Sequence, residues 1–341
     1  MRLEQRIGLM TRLGNHLEGE DEYLRAVMHR SEFHNPWFTR ENQELAVQSI
    51  ARHFLKKELL EAWAAKYSIP DTPNPKTVGI VMAGNIPLVG FHDWLCVFIA
   101  GHRAQVKISE KDAYLFPYVL KLLQSWEPEM AQWMETVERL NGFDAVIATG
   151  SNNSARYFEA YFGKKPNIIR RNRNGVAVLS GTESAEELRR LASDVFTYFG
   201  LGCRNVAKIY VPEGYDFDPL LEALYEHKEI VLNDKYKNNF DYNYALFILN
   251  KVAFKANGCI LLKEDELTAS RIACLHYAWY KSLKEVEEEL VERGVEIQCV
   301  VAQPGLLSLP TLNFGETQTP GLLDYPDGVD TMEFLINMRF G

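Results

Sequence analysis

The chain has 341 residues, 47% of them apolar, and carries 37 Lys and Arg against 46 Asp and Glu for a formal net charge of -9. That is apolar material for more than one core, while the excess of acids excludes a nucleic-acid-binding surface, which needs clustered cations against phosphate. The opening stretch MRLEQRIGLMTRLGNHLEGE is charged throughout and lacks the apolar centre of a secretory signal, and no later apolar run nears the roughly 18 residues of a membrane helix, so no integral membrane contact is expected.

Up to about Lys66 the pattern is polar and amphipathic, as in ENQELAVQSIARHFLKKELLEAWAAKY, and predicts helices without strands. SIPDTPNPKT, with three prolines, breaks it. From Thr77 buried strands and helices alternate. VGIVMA runs into GNIP, VGFHDWLCVFIA reads as an apolar helix stopped by Gly101, and AQVKIS is a second strand before a helix around YVLKLLQSW. FDAVIATG is a third strand, SNNSARYFEAYFG a helix, and NIIRR and GVAVLSG further β segments. This rhythm predicts parallel βαβ units with helices on both faces.

A second block opens at Thr182. Ser184 and Glu187 fit a capping box, and Leu188, Leu191, Val195 and Phe199 recur at helical spacing. GLGC then turns into the strand VAKIYV, followed by strands CILLKE and VEIQCVVA around the charged helix KSLKEVEEELVERG. There is no internal repeat.

In an open parallel sheet, ligands bind where loops converge at the carboxyl ends of strands. Here those ends carry Gly84 and Asn85, then Lys107, Ser109 and Glu110, then Thr149, Gly150 and Ser151. Each is equally an ordinary turn or cap residue; together they line one edge with an amide, an ammonium, a carboxylate and hydroxyls. GxGxxG and GxxxxGK[ST] are absent, so the usual glycine-rich phosphate cradle is missing. Arg170, Arg171 and Arg173 read as a solvated loop before a phosphate site, and His92 as packing or capping within its helix. Asp324, Asp327 and Asp330 read as turns before a cation site.

Five cysteines without CxxC or regular spacing argue against a zinc site or disulfide framework and fit a reducing cytoplasm. Cys96, Cys259, Cys274 and Cys299 lie in or beside apolar runs, as small buried hydrophobes do. Cys203 differs. It sits between a glycine turn and a strand, beside Arg204 and Asn205, where thiol and backbone N–H can be presented together. A nearby cation favours the thiolate, and that N–H can stabilise an oxyanion.

The order TVGIVMAGNIPL, AQVKISEK, VIATGS and GLGCRNVAKIYV resembles the aldehyde dehydrogenase superfamily, and most closely its LuxC-like acyl-CoA reductase branch, over about Thr77 to Val211, with a weaker trace in FGETQTPGLLDYPDGVDTMEFL. The resemblance implies an α/β fold with a Rossmann-like cofactor domain and an α/β catalytic domain. The expected divisions are a helical segment over 1–70, an NAD(P)-binding domain over 71–181 with 311–341, and a catalytic domain over 182–310. It implies Cys203 as nucleophile and Asn85 as oxyanion donor, with Lys107, Ser109 and Glu110 near the adenosine ribose of NADPH or NADH and Gly150 and Ser151 beside the cofactor. The partner implied is an acyl-CoA or other acyl thioester; a homo-oligomer is compatible. The family's E-L-G-G-K segment aligns with IIRRNRNGVAVLSG, which lacks the carboxylate that activates water, and this favours reduction of an activated acyl group over hydrolysis. Leu312 stands where E-x-F-G places a ribose-binding glutamate, and Glu316 is not assigned that role. Two alternatives stay open: a cysteine acyltransferase or hydrolase pairing Cys203 with a histidine such as His276, and a silent binding subunit that keeps the fold.

Overall fold

Four helices open the chain in a computed structural model that describes residues 1–71 and 74–338. They are α1 (Leu3–Glu18), α2 (Glu22–His34), α3 (Arg40–His53) and α4 (Lys57–Ala64). Helix α1 buries Leu9, Met10, Leu13 and Leu17 at helical spacing. Asp21 and Thr39 start α2 and α3 by accepting first-turn backbone N–H groups. After the proline-bearing break come β1 (Thr77–Val81), α5 (Phe91–Ala100), β2 (Arg103–Lys107), α6 (Leu115–Trp126), β3 (Met134–Thr136), β4 (Ala145–Thr149), α7 (Asn152–Phe162) and β5 (Asn167–Arg170). The strands are all parallel in the order β3-β2-β1-β4-β5, so the direction of winding reverses between β1 and β4. Helix α5 is apolar all round and all ten of its residues are buried; Gly101 ends it in the left-handed region at φ 82°.

The next stretch contains β6 (Asn174–Val178), α8 (Ala185–Phe196), β7 (Val206–Pro212), α9 (Asp218–Tyr225), α10 (Asp234–Leu249), β8 (Lys255–Ala256), β9 (Leu261–Glu264), β10 (Cys274–Tyr280), α11 (Leu283–Glu292) and β11 (Ile297–Ala302). Its sheet runs β11-β6-β7-β10-β9-β8, parallel except for the β8/β9 edge. The capping box forms as read: Ser184 Oγ accepts the Glu187 N–H at 3.2 Å and Glu187 Oε2 accepts the Ser184 N–H at 2.8 Å. Strand β10 is absent from the sequence-based reading; only its first three residues are buried, and His276 interrupts an otherwise apolar and aromatic run.

The chain divides into two compact units, residues 1–172 with those from 320 onward, and 173–319. Strand β6, read from the sequence as an extension of the first α/β block, pairs with β7 and β11 in the second unit. A continuous apolar strand buries both faces in whichever parallel sheet it joins, so its composition does not choose the sheet. The final helix, α12 (Thr331–Asn337), belongs to the first unit, where Met332, Leu335 and Ile336 join the core. His102 ties it to the entry of β1, donating Nε2–H to the Leu335 carbonyl at 2.9 Å and accepting the Lys76 N–H at Nδ1 at 3.1 Å. His92 is packed, donating to the Leu322 carbonyl at 3.1 Å. The acids near the C-terminus make turns and a cap: Asp324 accepts the Gly321 N–H at 2.7 Å, and Asp330 caps α12.

The basic run at the end of β5 departs from the solvated loop expected. Arg170 is 2% exposed and donates from Nε and Nη2 to Asp93 at 3.2 and 2.6 Å, to the Pro326 carbonyl at 2.6 Å and to Thr331 Oγ1 at 2.8 Å. Its neighbour Arg171 points outward to Glu159, and Arg173 donates to the carbonyls of Gly294 and Ile297 at 3.2 Å. The three like charges thus meet three environments, Arg170 at the last position of β5 and Arg171 and Arg173 in the irregular stretch beyond it. Asp93→Ala leaves a buried guanidinium without its counter-ion and is expected to lower unfolding free energy by about 3–5 kcal/mol, read by denaturant titration. A loss below about 1 kcal/mol, the value of an exposed pair, would show that the pair is solvated after all.

Candidate functional site

The register of the first sheet sets the strand ends side by side, with Val81 opposite Lys107 on β2 and Ala148 on β4. Asn85 is half-buried in the turn after β1. Lys107 ends β2 and is exposed; Ser109 follows, half-buried, and accepts the Lys111 N–H at 3.3 Å to start a short 3-10 turn, Glu110–Asp112. Glu110 directs its side chain to solvent while its carbonyl accepts from His34 Nε2 at 2.9 Å. After β4, the Gly150 N–H donates to the Arg170 carbonyl at 3.4 Å, and exposed Ser151 caps α7 by accepting the Ser154 N–H at 3.2 Å. The structure therefore gathers Asn85, Lys107, Ser109, Glu110, Gly150 and Ser151 along one edge of one sheet.

Two devices fix the turn that carries Asn85. Gly84 lies so close to Ser109 that a β-carbon there would collide with its Oγ and sit 2.7 Å from its Cβ, so only glycine lets the two loops meet. Leu88 is left-handed at φ 55°, a backbone state that costs a side-chain-bearing residue on the order of 1–3 kcal/mol. Its N–H donates to Asp112 Oδ2 at 2.7 Å. Asp112 and Leu88 lie 24 residues apart, and no local signal in the sequence marks the pair.

In the second unit, Cys203 lies on the turn between α8 and β7. The backbone before it runs left-handed through Tyr198 (φ 55°), Phe199 (φ 59°) and Gly200 (φ 73°), a concentration of strain of the kind found at functional turns. Buried Asn205 holds that turn: Nδ2 donates to the carbonyls of Asp194 and Thr197 at 2.9 and 2.8 Å, and Oδ1 accepts the Gly202 N–H at 2.8 Å. It thereby satisfies carbonyls left over at the end of α8. A short polar residue two positions beyond the cysteine is the sequence signal for this role. Gly175 on β6 leaves space for the turn, since a β-carbon there would come within 2.6 Å of the Arg204 carbonyl oxygen. The side chain of Cys203 is half-buried.

None of the five cysteines forms a disulfide. Cys96, Cys259 and Cys274 are buried as expected, and burial pushes their thiols up, Cys259 to about 11 and Cys274 to about 12. Cys299 departs from the expected burial: it is half-buried, with Sγ 3.6 Å from the Arg204 carbonyl, on β11, the last strand in the order of its sheet, whose residues 298–300 are all half-buried. His276 lies on β10 with Nδ1 2.9 Å from the Leu267 carbonyl and Nε2 3.9 Å from Asp265; burial lowers its pKa. The segment around Leu312 is held from α8: buried Asp194 accepts the N–H groups of Gly315 and Thr317 at 2.7 and 3.1 Å and the Thr317 hydroxyl at 2.8 Å. Leu312 itself extends the sheet, donating its N–H to the Val300 carbonyl at 2.8 Å. Glu316 folds back onto Asn313.

The edge of the first sheet has a donor set that suits a dinucleotide. Helix α7 begins at the winding reversal with no acid in its first turn, leaving its positive end uncompensated, and on the same edge of the sheet Lys107 and Glu110 are exposed at and just past the end of β2. Among the described residues no group of His, Cys, Asp and Glu could hold a metal ion, and no helix is long and apolar enough to cross a membrane.

No protein-family model and no curated protein matches the chain. Solved structures do. The NAD-dependent aldehyde dehydrogenase of Sinorhizobium meliloti aligns over 93% of this chain and 72% of its own at 12% identity, with a TM-score of 0.66. An indole-3-acetaldehyde dehydrogenase of P. syringae, solved as a mutant with NAD+ and IAA, aligns over 90% and 73% at 14% identity, TM-score 0.64. Aldehyde dehydrogenase 21 of Physcomitrella patens, solved with its reaction product succinate, aligns over 99% and 84% at 12% identity, TM-score 0.66. With two parallel sheets in the strand orders given above, the chain has the fold of the aldehyde dehydrogenases.

Proposed function

We propose that the chain is an oxidoreductase that uses NADPH or NADH to reduce an acyl thioester, such as an acyl-CoA, to an aldehyde through an acyl group carried on Cys203. The observation that carries this reading is the contrast among the cysteines: Cys96, Cys259 and Cys274 are sealed with raised thiols and Cys299 is half-buried within a strand, whereas Cys203 is half-buried on a strained turn that an asparagine holds in place. The resemblance of the GNIPL, SEK and TGS segments to their counterparts in the family supports the remaining roles, with the cofactor held by the first unit and the acyl group by Cys203 of the second.

In this reading the Cys203 thiolate attacks the thioester carbonyl, its own N–H and the Asn85 amide receive the oxyanion, and CoA leaves as the thiol. A bound nicotinamide would supply a hydride to the acyl carbon, and the resulting thiohemiacetal breaks its C–S bond, releasing the aldehyde and returning Cys203 as the thiolate. Lys107, Ser109 and Glu110 hold the adenosine ribose, and Gly150 and Ser151 line the approach of the pyrophosphate to α7. Between Ile168 and Gly181 no side chain is a carboxylate, so nothing in that stretch activates water, and the acyl group persists until the hydride arrives. The solved aldehyde dehydrogenases that carry NAD+ favour a nicotinamide cofactor over the cofactor-free transferase reading.

Mixing the protein with acyl-CoA substrates of increasing chain length and either reduced nicotinamide tests the proposal directly. Oxidation of the nicotinamide with release of CoA is expected; CoA release without oxidation would replace the reductase by a transferase or hydrolase, and no reaction at any chain length would leave a silent subunit. Cys203→Ala is expected to abolish CoA release while the circular dichroism spectrum stays that of the wild type. Asn85→Ala is expected to slow CoA release by about 10²–10³-fold, measured in single turnovers; a loss below tenfold would remove Asn85 from the oxyanion role.

A further inference from the structure

We infer that Asp112 is a positioning residue for Asn85, joining the turn after β1 to the segment that carries Lys107, Ser109 and Glu110. This role deepens the reaction proposed above and rests on it. Asp112 is 4% exposed; its Oδ2 accepts the Leu88 N–H at 2.7 Å, while Oδ1 meets no hydrogen-bond partner among the described residues. A buried carboxyl with one backbone donor is a poor device for stability alone, and burial pushes it up to about 7 against that single donor.

What the contact does is hold Leu88 at φ 55°. Pro87 has a fixed φ, and the residue before a proline is confined to extended backbone. A relaxation at Leu88 therefore has little freedom in which to dissipate before it reaches Asn85. The other end of the contact is anchored. The Lys111 carbonyl accepts Asn35 Nδ2 at 3.1 Å and the Glu110 carbonyl accepts from His34 Nε2 at 2.9 Å, fixing the segment to the end of α2. The carboxyl thus relates the oxyanion donor to the ribose-facing residues through one hydrogen bond.

A double-mutant cycle tests this on the full chain, reading single-turnover CoA release without nicotinamide. Asp112→Ala is expected to slow release by about 10²-fold, and to add no more than about threefold when Asn85 is already Ala, since the two substitutions remove one contribution. Asp112→Asn keeps an acceptor for the Leu88 N–H and is expected to release CoA within about threefold of the wild type. Multiplying effects in the double variant, or wild-type release by Asp112→Ala, would overturn the role. An arm independent of turnover reads the Asn85 side-chain amide by nitrogen-15 NMR, assigned by its disappearance in Asn85→Ala. The signal is expected to move in Asp112→Ala and stay in place in Asp112→Asn; an unmoved signal in both overturns the role. If Asp112→Ala does not fold, Asp112→Val, which fills the space without an acceptor, takes its place. Absence of CoA release by the wild type would sink the proposed reaction, and the NMR arm would still decide Asp112.

Discussion

Side-chain-bearing residues leave the left-handed region of backbone space unless something holds them there, and both turns that carry the candidate reactive groups depend on such holding. At Leu88 the agent is a carboxyl reaching from the end of β2; at Tyr198 and Phe199 it is the asparagine two residues past the cysteine, which binds the turn to the end of α8. In each case one buried polar side chain holds the backbone of a turn that carries a candidate reactive group. The sheets supply a rigid frame, and the turns draw their geometry from these two contacts.

What was legible in the sequence was local. The GNIPL, SEK and TGS segments follow β1, β2 and β4, and the strand–helix rhythm of the sequence suffices to place them on one edge of a parallel sheet; GLGC stands apart, at the entry to β7 in the second unit. The Ser184 and Glu187 cap, the stop at Gly101 and the four leading helices are equally local and appear as read. What was not legible involves partners distant in the chain. The pairing of Asp112 with Leu88, the inward turn of Arg170 toward Asp93 and Thr331, and the placing of β6 in the second sheet all depend on which surfaces fold against one another. Strand β10 escaped although its residues are apolar or aromatic but for His276, since a short apolar run without alternation does not by itself separate strand from buried helix. Cys299 was misplaced because an apolar run does not tell that its strand, β11, stands last in the order of its sheet and is half-buried at its centre.

The segment between Ile168 and Gly181 shows how composition and architecture converge. It leaves the first sheet as β5 and enters the second as β6, and its charged groups are arginines with assigned partners: Asp93, Glu159 and the carbonyls of Gly294 and Ile297. Strand and crossing alike are committed to holding the structure together, with no acid left over for moving a proton.

Helix α5, with no residue facing solvent, also sets how this protein can be taken apart. Arg6 on α1 donates from Nη2 to the Ile99 carbonyl at 3.1 Å, and the apolar residues of α1 and α3 belong to the same core as those of β1 and β2. The leading helices are thus the outer wall of the nucleotide-fold half and not an attachment to it. A fragment begun at β1 would present an oily column to water, so the smallest excisable module here reaches back to the first turn of α1.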